Sequence, residues 1–365
     1  MAQCGLTMAA QDPVLLNTPE WVVTHARAQQ RLLRWGERVH HGLPKAMHPR
    51  AAAWLGQRFS PELPSAIKIW SGLQQLTQSS DAQAHRLLAQ WYANQGAFAI
   101  DLHNYAGLDK RWAHETVHMK PDERQLMLDV VASGGLVLNC HSHHHNRFGS
   151  LLGLSGATLW PVAGPEKGSL WEPWTGRFMR LINGGSEAYF RGGRYLFTDD
   201  MRQLLLNARA ALQRKELLGT SADGPQVSPS VVPVNLAGRR LDMATALVDM
   251  TVNAGLPVAC GMLYSDLRGG HRCRFARAGP TATVAEIAQH YASSIVQWCR
   301  DDPFAWQGWV WWDDLPFATP PDAATEQARA SAAARFAASL PSKSWAAKAL
   351  EALVAIEGRL APPRP

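Results

Sequence analysis

Between Pro121 and Pro303 the chain switches repeatedly between a helical and an extended pattern, and this alternation restricts its fold more than any other feature. "KPDERQLMLDVVASGG" has a proline at a helix start, acids in the first turn and glycines at the end. Directly behind it, "GGLVLNC" is a short apolar run with the length of a buried strand. The pattern then repeats. "RFGSLLGLSG" reads as helix and "ATLWPVAG" as strand. "DDMRQLLLNARAALQRKEL" reads as helix and "LLGTSAD" as strand. "LDMATALVDMTVNAG" reads as a helix ending at Gly255, and "LPVACGMLY" as strand. "TVAEIAQHYASSIVQWCRDDP" is a helix stopped by Pro303. Strands alternating with helices predict an α/β domain with a largely parallel central sheet flanked by helices.

The flanks are helical. Over residues 18–60, Thr18 can cap, Pro19 suits the first helical position, and Arg27, Arg31, Arg34 and Arg38 lie off the apolar stripe. Further helices are expected over 61–118. The Ala-rich stretch 321–359 adds one or two more before a frayed "APPRP". The expected organisation is a mostly helical N-terminal region, 1–118, packed on an α/β core, 119–320, with C-terminal helices and tail over 321–365, all in one compact unit. Hydrophobic content of 46% and charged content of 18% suit a globular chain.

A net charge of +6 suits an acidic partner or an anionic surface. Zinc-finger spacing and RNA-binding signatures are missing, so nucleic acid is the least expected partner. The five cysteines are odd in number, widely spaced and form no C-x-x-C pair, which predicts reduced thiols and a cytoplasmic setting. Neither a signal peptide nor an apolar run of membrane-spanning length is expected. The basic helix after Pro19 is either a solvated face packed on the domain or a peripheral contact with the inner membrane.

"LNCHSHHHNRFGSLLG" places four of the 14 histidines within five positions. His141 falls just past the carboxyl end of a buried strand, the edge at which α/β sheets bind ligands. As a metal pair, His141 and His143 lack acids, since none lies between Asp129 and Glu166. The other readings are a solvated loop, or one general base with neighbours that shape its site. Such a base needs a partner to hold its tautomer. G-x-S-x-G, a phosphate loop and a dinucleotide fingerprint are all missing.

"GGLVLNCHSHHHNRFGSLLGLSG" resembles the His-x4-Asp/Glu segment of the lysophospholipid acyltransferase superfamily, and most of all its bacterial lipid A lauroyl/myristoyl acyltransferase branch. On this match His141 takes the place of the base, and Asn146 stands where the family has its acid. His143, His144 and His145 replace Gly, Asn and Trp. "ALQRKELLGTSADGP" is similar to a second segment and sets Asp223 at the family's aspartate. "VNLAGRRLDMATALVDMTVNAGLPVACGM" is similar to a third, with Thr245, Gly255 and Pro257 in place. "IAQHYASSIVQWCRDDPFAWQGWVWWDD" resembles the closing helix and Trp-rich strand. The resemblance spans residues 85–316. This chain departs from it at Asn146, at Asp313 and Asp314 where the branch is basic, and in lacking the usual N-terminal transmembrane anchor.

The resemblance implies transfer of an acyl group from an acyl-carrier-protein or acyl-CoA thioester to a hydroxyl or amine other than lipid A, as in specialised metabolite biosynthesis. His141 would be the base, oriented by Asn146. His144, His145, Arg147, Arg191, Arg194 and Asp223 would bind substrate: the oxyanion would be met by backbone N–H groups at the start of the helix after Asn146 or by Arg147, and phosphopantetheine or an acidic carrier by Arg191 and Arg194. Trp70, Trp91, Trp160, Trp171 and Trp174 either line the acyl slot or pack in the core. No metal and no cofactor beyond acyl-phosphopantetheine or acyl-CoA as co-substrate is implied. The partners would be an acyl carrier protein and a small or carrier-bound acceptor. The alternatives are a thioesterase or condensing or cyclising enzyme on the same scaffold, a non-catalytic acyl- or carrier-binding protein, and a metal-dependent hydrolase built on the His cluster.

Overall fold

The computed structural model describes residues 20–59, 63–164, 172–224 and 230–339. Thr18, Pro19, Trp171 and the tail beyond 339 lie outside these residues. In chain order the strands are β1 (Val117–His118), β2 (Gly135–Asn139), β3 (Leu159–Ala163), β4 (Leu196–Phe197), β5 (Leu217–Ser221), β6 (Val231–Leu236), β7 (Arg239–Ala244), β8 (Val258–Ser265) and β9 (His271–Arg277). Seven of them form one sheet in the order β1-β9-β8-β2-β5-β3-β4, and β6 and β7 form a separate hairpin. Every pairing in the large sheet is parallel except β8 with β9. The α/β architecture expected from the alternation is therefore present.

Helices α1 (Glu20–Gly42), α2 (His48–Phe59), α3 (Leu63–Thr77) and α4 (Asp81–Asp101) precede the sheet. Among the strands run α5 (Pro121–Ser133), α6 (His145–Leu154), α7 (Glu172–Glu187), α8 (Met201–Gln213) and α9 (Ala246–Asn253). After them come α10 (Val284–Asp301) and α11 (Ala323–Ser339). Local chemistry sets several starts: Pro121 opens α5, and capping boxes of Ser80 with Gln83 and Thr283 with Glu286 open α4 and α10.

The sheet is buried on both faces. Leu136 and Leu138 of β2 join one core with Trp70 of α3, Trp91 of α4 and Tyr291 of α10. Val137, between them, joins a second core with Met127 of α5 and Phe148 of α6. This is the side-chain alternation of a strand whose two faces are both covered. The N-terminal helices α3 and α4 thus share a core with the strands. Cys140, Cys260, Cys273 and Cys299 are all buried as free thiols in these layers.

Helix α2 lies unusually close to α4. A Cβ on Gly56 would come within 1.8 Å of the Tyr92 carbonyl oxygen, and one on Gly96 within 2.0 Å of the Ala52 carbonyl oxygen. Only glycine allows such backbone contact.

Strands β1, β4 and β6 and helix α7 are not among the expected elements, and three further segments differ from expectation. "LDMA" belongs to strand β7 and not to a helix, because the chain reverses through left-handed Ala237 and Gly238 and then alternates inward Arg239, Leu241 and Met243 with outward neighbours. The segment β9, "HRCRFAR", is an additional strand whose inward His271, Cys273 and Phe275 alternate with arginines. The Trp-rich segment is not a strand but 3₁₀ turns over Pro303–Ala305 and Gln307–Asp314. Trp306, Trp309 and Trp312, spaced by three, all turn inward, as that helix's three-residue period requires.

Candidate active site

The parallel register brings two distant residues together. Asn139 of β2 pairs with Ser221 of β5, so His141 and Asp223 each emerge two residues beyond a matched pair. There the His141 backbone N–H donates to Asp223 Oδ2 at 2.8 Å, and the imidazole Nδ1–H donates to Asp223 Oδ1 at 2.7 Å. The Trp306 indole N–H donates to Asp223 Oδ2 at 2.6 Å, and the Trp311 indole N–H donates to the Asp223 carbonyl at 3.0 Å. Asp223 is fully buried, whereas 31% of the His141 side chain remains exposed. With Nδ1 tied to the carboxylate, Nε2 is the ring nitrogen left to act as a base.

The surroundings fix this pair. Gln307 N–H donates to the His141 carbonyl, and Ser142 bridges to Trp306, so the 3₁₀ segment is stitched across the loop. The Tyr291 hydroxyl donates to the Asn139 carbonyl at 2.9 Å, bracing the strand end. The Ser142 hydroxyl donates to the Leu263 carbonyl of β8. Burial depresses protonation of His141, but the charge and hydrogen bond of Asp223 outweigh it and raise its pKa above the ordinary value. Burial pushes the Asp223 carboxyl up, yet His141 and the Trp306 N–H hold it below the usual range, as an ionised partner.

The neighbouring histidines have separate environments. The His145 Nδ1–H donates to the Ser142 carbonyl at 2.7 Å, and its ring lies edge-on to His141 with centroids 5.5 Å apart. Burial and the nearby His141 lower its pKa to about 4, so it is neutral near pH 7. His143 is buried edge-on against Trp91, and neither ring nitrogen has a hydrogen-bond partner. His144 turns away from His141. Its Nε2 lies 3.2 Å from Asp101 Oδ2, an oxygen it shares with His271 Nε2 at 3.2 Å and Arg147 NH1 at 3.1 Å.

The imidazole of His141 is therefore held by Asp223, not by Asn146, which was expected to orient it. Asn146 sits half-buried in the first turn of α6. Arg147, expected at an oxyanion, is committed instead to Asp101, whose carbonyl also accepts from its NH2 at 2.5 Å. Arg191 and Arg194 lie at the other end of the sheet. Arg191 donates to the Gly156 carbonyl, just before β3, and both arginines precede parallel strand β4, at the amino edge. The two acids at which the chain departs from the branch are paired within the molecule: Asp313 with Arg239 and Arg329, and the exposed Asp314 with Lys68. Trp70 and Trp91 are core residues, and Trp160 donates to Glu216. Trp171 and the Trp174 side chain lie outside what is described.

Asp101, His144 and His271 are the group among the described residues with metal-ligand spacing. Neither His141 nor His143 belongs to it. Arg147 NH1 stands 3.1 and 3.2 Å from two of the three ligand atoms, so the guanidinium already supplies the cluster's positive charge. A divalent ion there would meet a fixed cation, and the residues do not fit it. Sequence reasoning missed Asp101, Trp306, Trp311 and Tyr291. Only the dense tryptophans of 306–312 carried a signal, and they read equally as packing. The chain matches no known family model and no curated protein.

Proposed function

We propose that this protein is an acyl-transfer enzyme in which the His141–Asp223 pair activates the acceptor. The observation that carries the reading is a partly exposed imidazole whose Nδ1 is held at 2.7 Å by a buried carboxylate, which leaves Nε2 as the nitrogen for proton transfer. Nε2 takes the proton from an acceptor hydroxyl or amine as its oxygen or nitrogen attacks a thioester carbonyl. The tetrahedral intermediate collapses, the C–S bond breaks, and the thiolate leaves with the proton returned from the imidazolium. Asp223 stabilises that imidazolium and holds the tautomer. The adjacent thiol of Cys140 is buried and its pKa lies well above the ordinary value, so direct transfer is favoured over a covalent cysteine intermediate.

The donor in this reading is an acyl-carrier-protein or acyl-CoA thioester, and the acceptor is a small or carrier-bound hydroxyl or amine other than lipid A. No helix among the described residues is long and apolar enough to cross a membrane. A cytoplasmic location, as the sequence suggests, suits such donors. The test is thiol release from a panel of carrier-protein and CoA thioesters, on wild type and His141→Ala, with mass spectrometry of the products. Release that needs His141, with the acyl group found on an amine or hydroxyl, is the expected result. Acyl groups recovered only on water would make the protein a thioesterase. Release that survives His141→Ala would remove the mechanism.

A further inference from the structure

The chemistry proposed for His141 uses nothing from the outer face of the α1–α2 hairpin. Its inner face is fully committed: Leu32, Leu33, Val39, Ala52 and Leu55 are buried with residues of α4. The outer face has a different composition. Leu43 and Met47, at the connecting turn, are 38% and 47% exposed, and Trp35 and Trp54, along the two helices, are 38% and 53% exposed. The two indoles meet edge to face with centroids 6.1 Å apart, so the helices present a single aromatic patch. The Arg38 guanidinium lies 4.8 Å from the Trp35 ring centre.

The charge around this patch is mostly positive. Arg31, Arg34, Arg38, Lys45, Arg50 and Arg58 are all exposed, and the only acid between residues 29 and 58 is the half-buried Glu37. A surface of exposed Trp, Met and Leu ringed by arginine has the composition of an interfacial membrane contact. Two copies meeting face to face would set these cations against each other, which disfavours a dimer.

We propose that the outer face of the α1–α2 hairpin docks on an anionic lipid bilayer. Trp35, Leu43, Met47 and Trp54 enter the headgroup region, and the arginines and Lys45 meet lipid phosphates. This surface is independent of the reading of His141. A second exposed apolar patch, Met201, Leu205 and Leu206 on α8, carries no indole and has charges of both signs beside it, Asp199 and Asp200 with Arg202 and Arg209, and serves as the internal contrast.

The experiment is co-sedimentation of the full chain with vesicles of phosphatidylcholine alone or with roughly a third phosphatidylglycerol. Folding of each variant is checked by circular dichroism. Wild type is expected to sediment with the anionic vesicles and not the neutral ones. Trp35→Ser with Trp54→Ser, and separately Arg34→Gln with Arg38→Gln, should each weaken binding by about tenfold. Met201→Ser with Leu206→Ser should leave it unchanged. Vesicles with brominated chains should quench wild-type tryptophan fluorescence more than that of the double tryptophan variant. No anionic-vesicle binding, or equal binding by all variants, would overturn the proposal. Binding that salt abolishes with no quenching by brominated chains would also overturn it, pointing to an acidic soluble partner.

Discussion

Two regions of this molecule combine histidine with a single aspartate, and they do opposite things with it. At the sheet edge, Asp223 is saturated by N–H donors and pairs with one histidine, whose side chain is partly exposed. At the Asp101 cluster, one carboxylate oxygen is shared by two buried histidines and a buried arginine. Asp223 raises the pKa of its histidine. At Asp101 burial wins, and the pKa of His144 falls to about 4 with that of His271 also lowered. The difference is burial first, since His144 and His271 are almost wholly buried and His141 is not, with the neighbouring histidine and Arg147 adding positive charge that lowers His144 further. Where Arg147 has already neutralised the carboxylate, a second positive charge has little to gain and much desolvation to bear. A histidine beside an aspartate gains a raised pKa here only where burial is incomplete and the aspartate serves no other cation.

The largest effect that would break this contrast concerns Asp223. Asp223→Asn should lower turnover by about four orders of magnitude, close to the loss from His141→Ala, because the imidazole loses both tautomer and counter-charge. Asn146→Ala should change it by only a few-fold at most, measured as thiol release under the same conditions. A severe loss from Asn146→Ala and a mild one from Asp223→Asn would reverse the assignment. At the other centre, Asp101→Asn should cost about 3–5 kcal/mol in denaturant unfolding by leaving Arg147 buried without its partner.

Next in size is pH. His144 has a folded pKa of about 4, below its ordinary value of 6.5, so the unfolded chain binds a proton first as pH falls. Stability should therefore drop between pH 6.5 and 4, by about 3 kcal/mol from His144 alone. His141 has the opposite sign: its raised folded pKa adds stability that is fully present below 6.5 and is lost as pH rises through the folded value. Urea titrations of wild type and His144→Gln separate the two. For catalysis, only deprotonated His141 can accept a proton, so the acid limb of the rate profile should have its midpoint above 6.5. The smallest effect is at His143, whose buried nitrogens lack partners. His143→Phe should be neutral or stabilising by about 1 kcal/mol in thermal unfolding.

The sequence made the sheet readable because each buried strand is a short apolar run next to a capped helix, and β2 and α5 show it best. His141 could be placed at the carboxyl edge for the same reason. Its partner could not, because 82 residues separate it from Asp223 and only the β2–β5 register makes them neighbours. Asn146 is near in sequence but begins a helix, whereas Asp223 ends an equivalent strand. Asp101 was equally hidden, since an acid at the end of a polar-looking helix has nothing local to distinguish it. The 3₁₀ tryptophans share the apolar density of a strand, and only their spacing of three tells the two apart.

The four buried thiols carry a practical consequence. Burial raises the pKa of each, that of Cys260 to about 12, so none is a ready nucleophile in the native state. Each becomes reactive only when its surroundings open, so the rate of alkylation in native buffer measures how often that region opens. Cys140 adjoins His141, Cys260 and Cys273 report the β8–β9 pair, and Cys299 reports α10. The chain therefore contains its own set of local stability gauges, with one beside the proposed base.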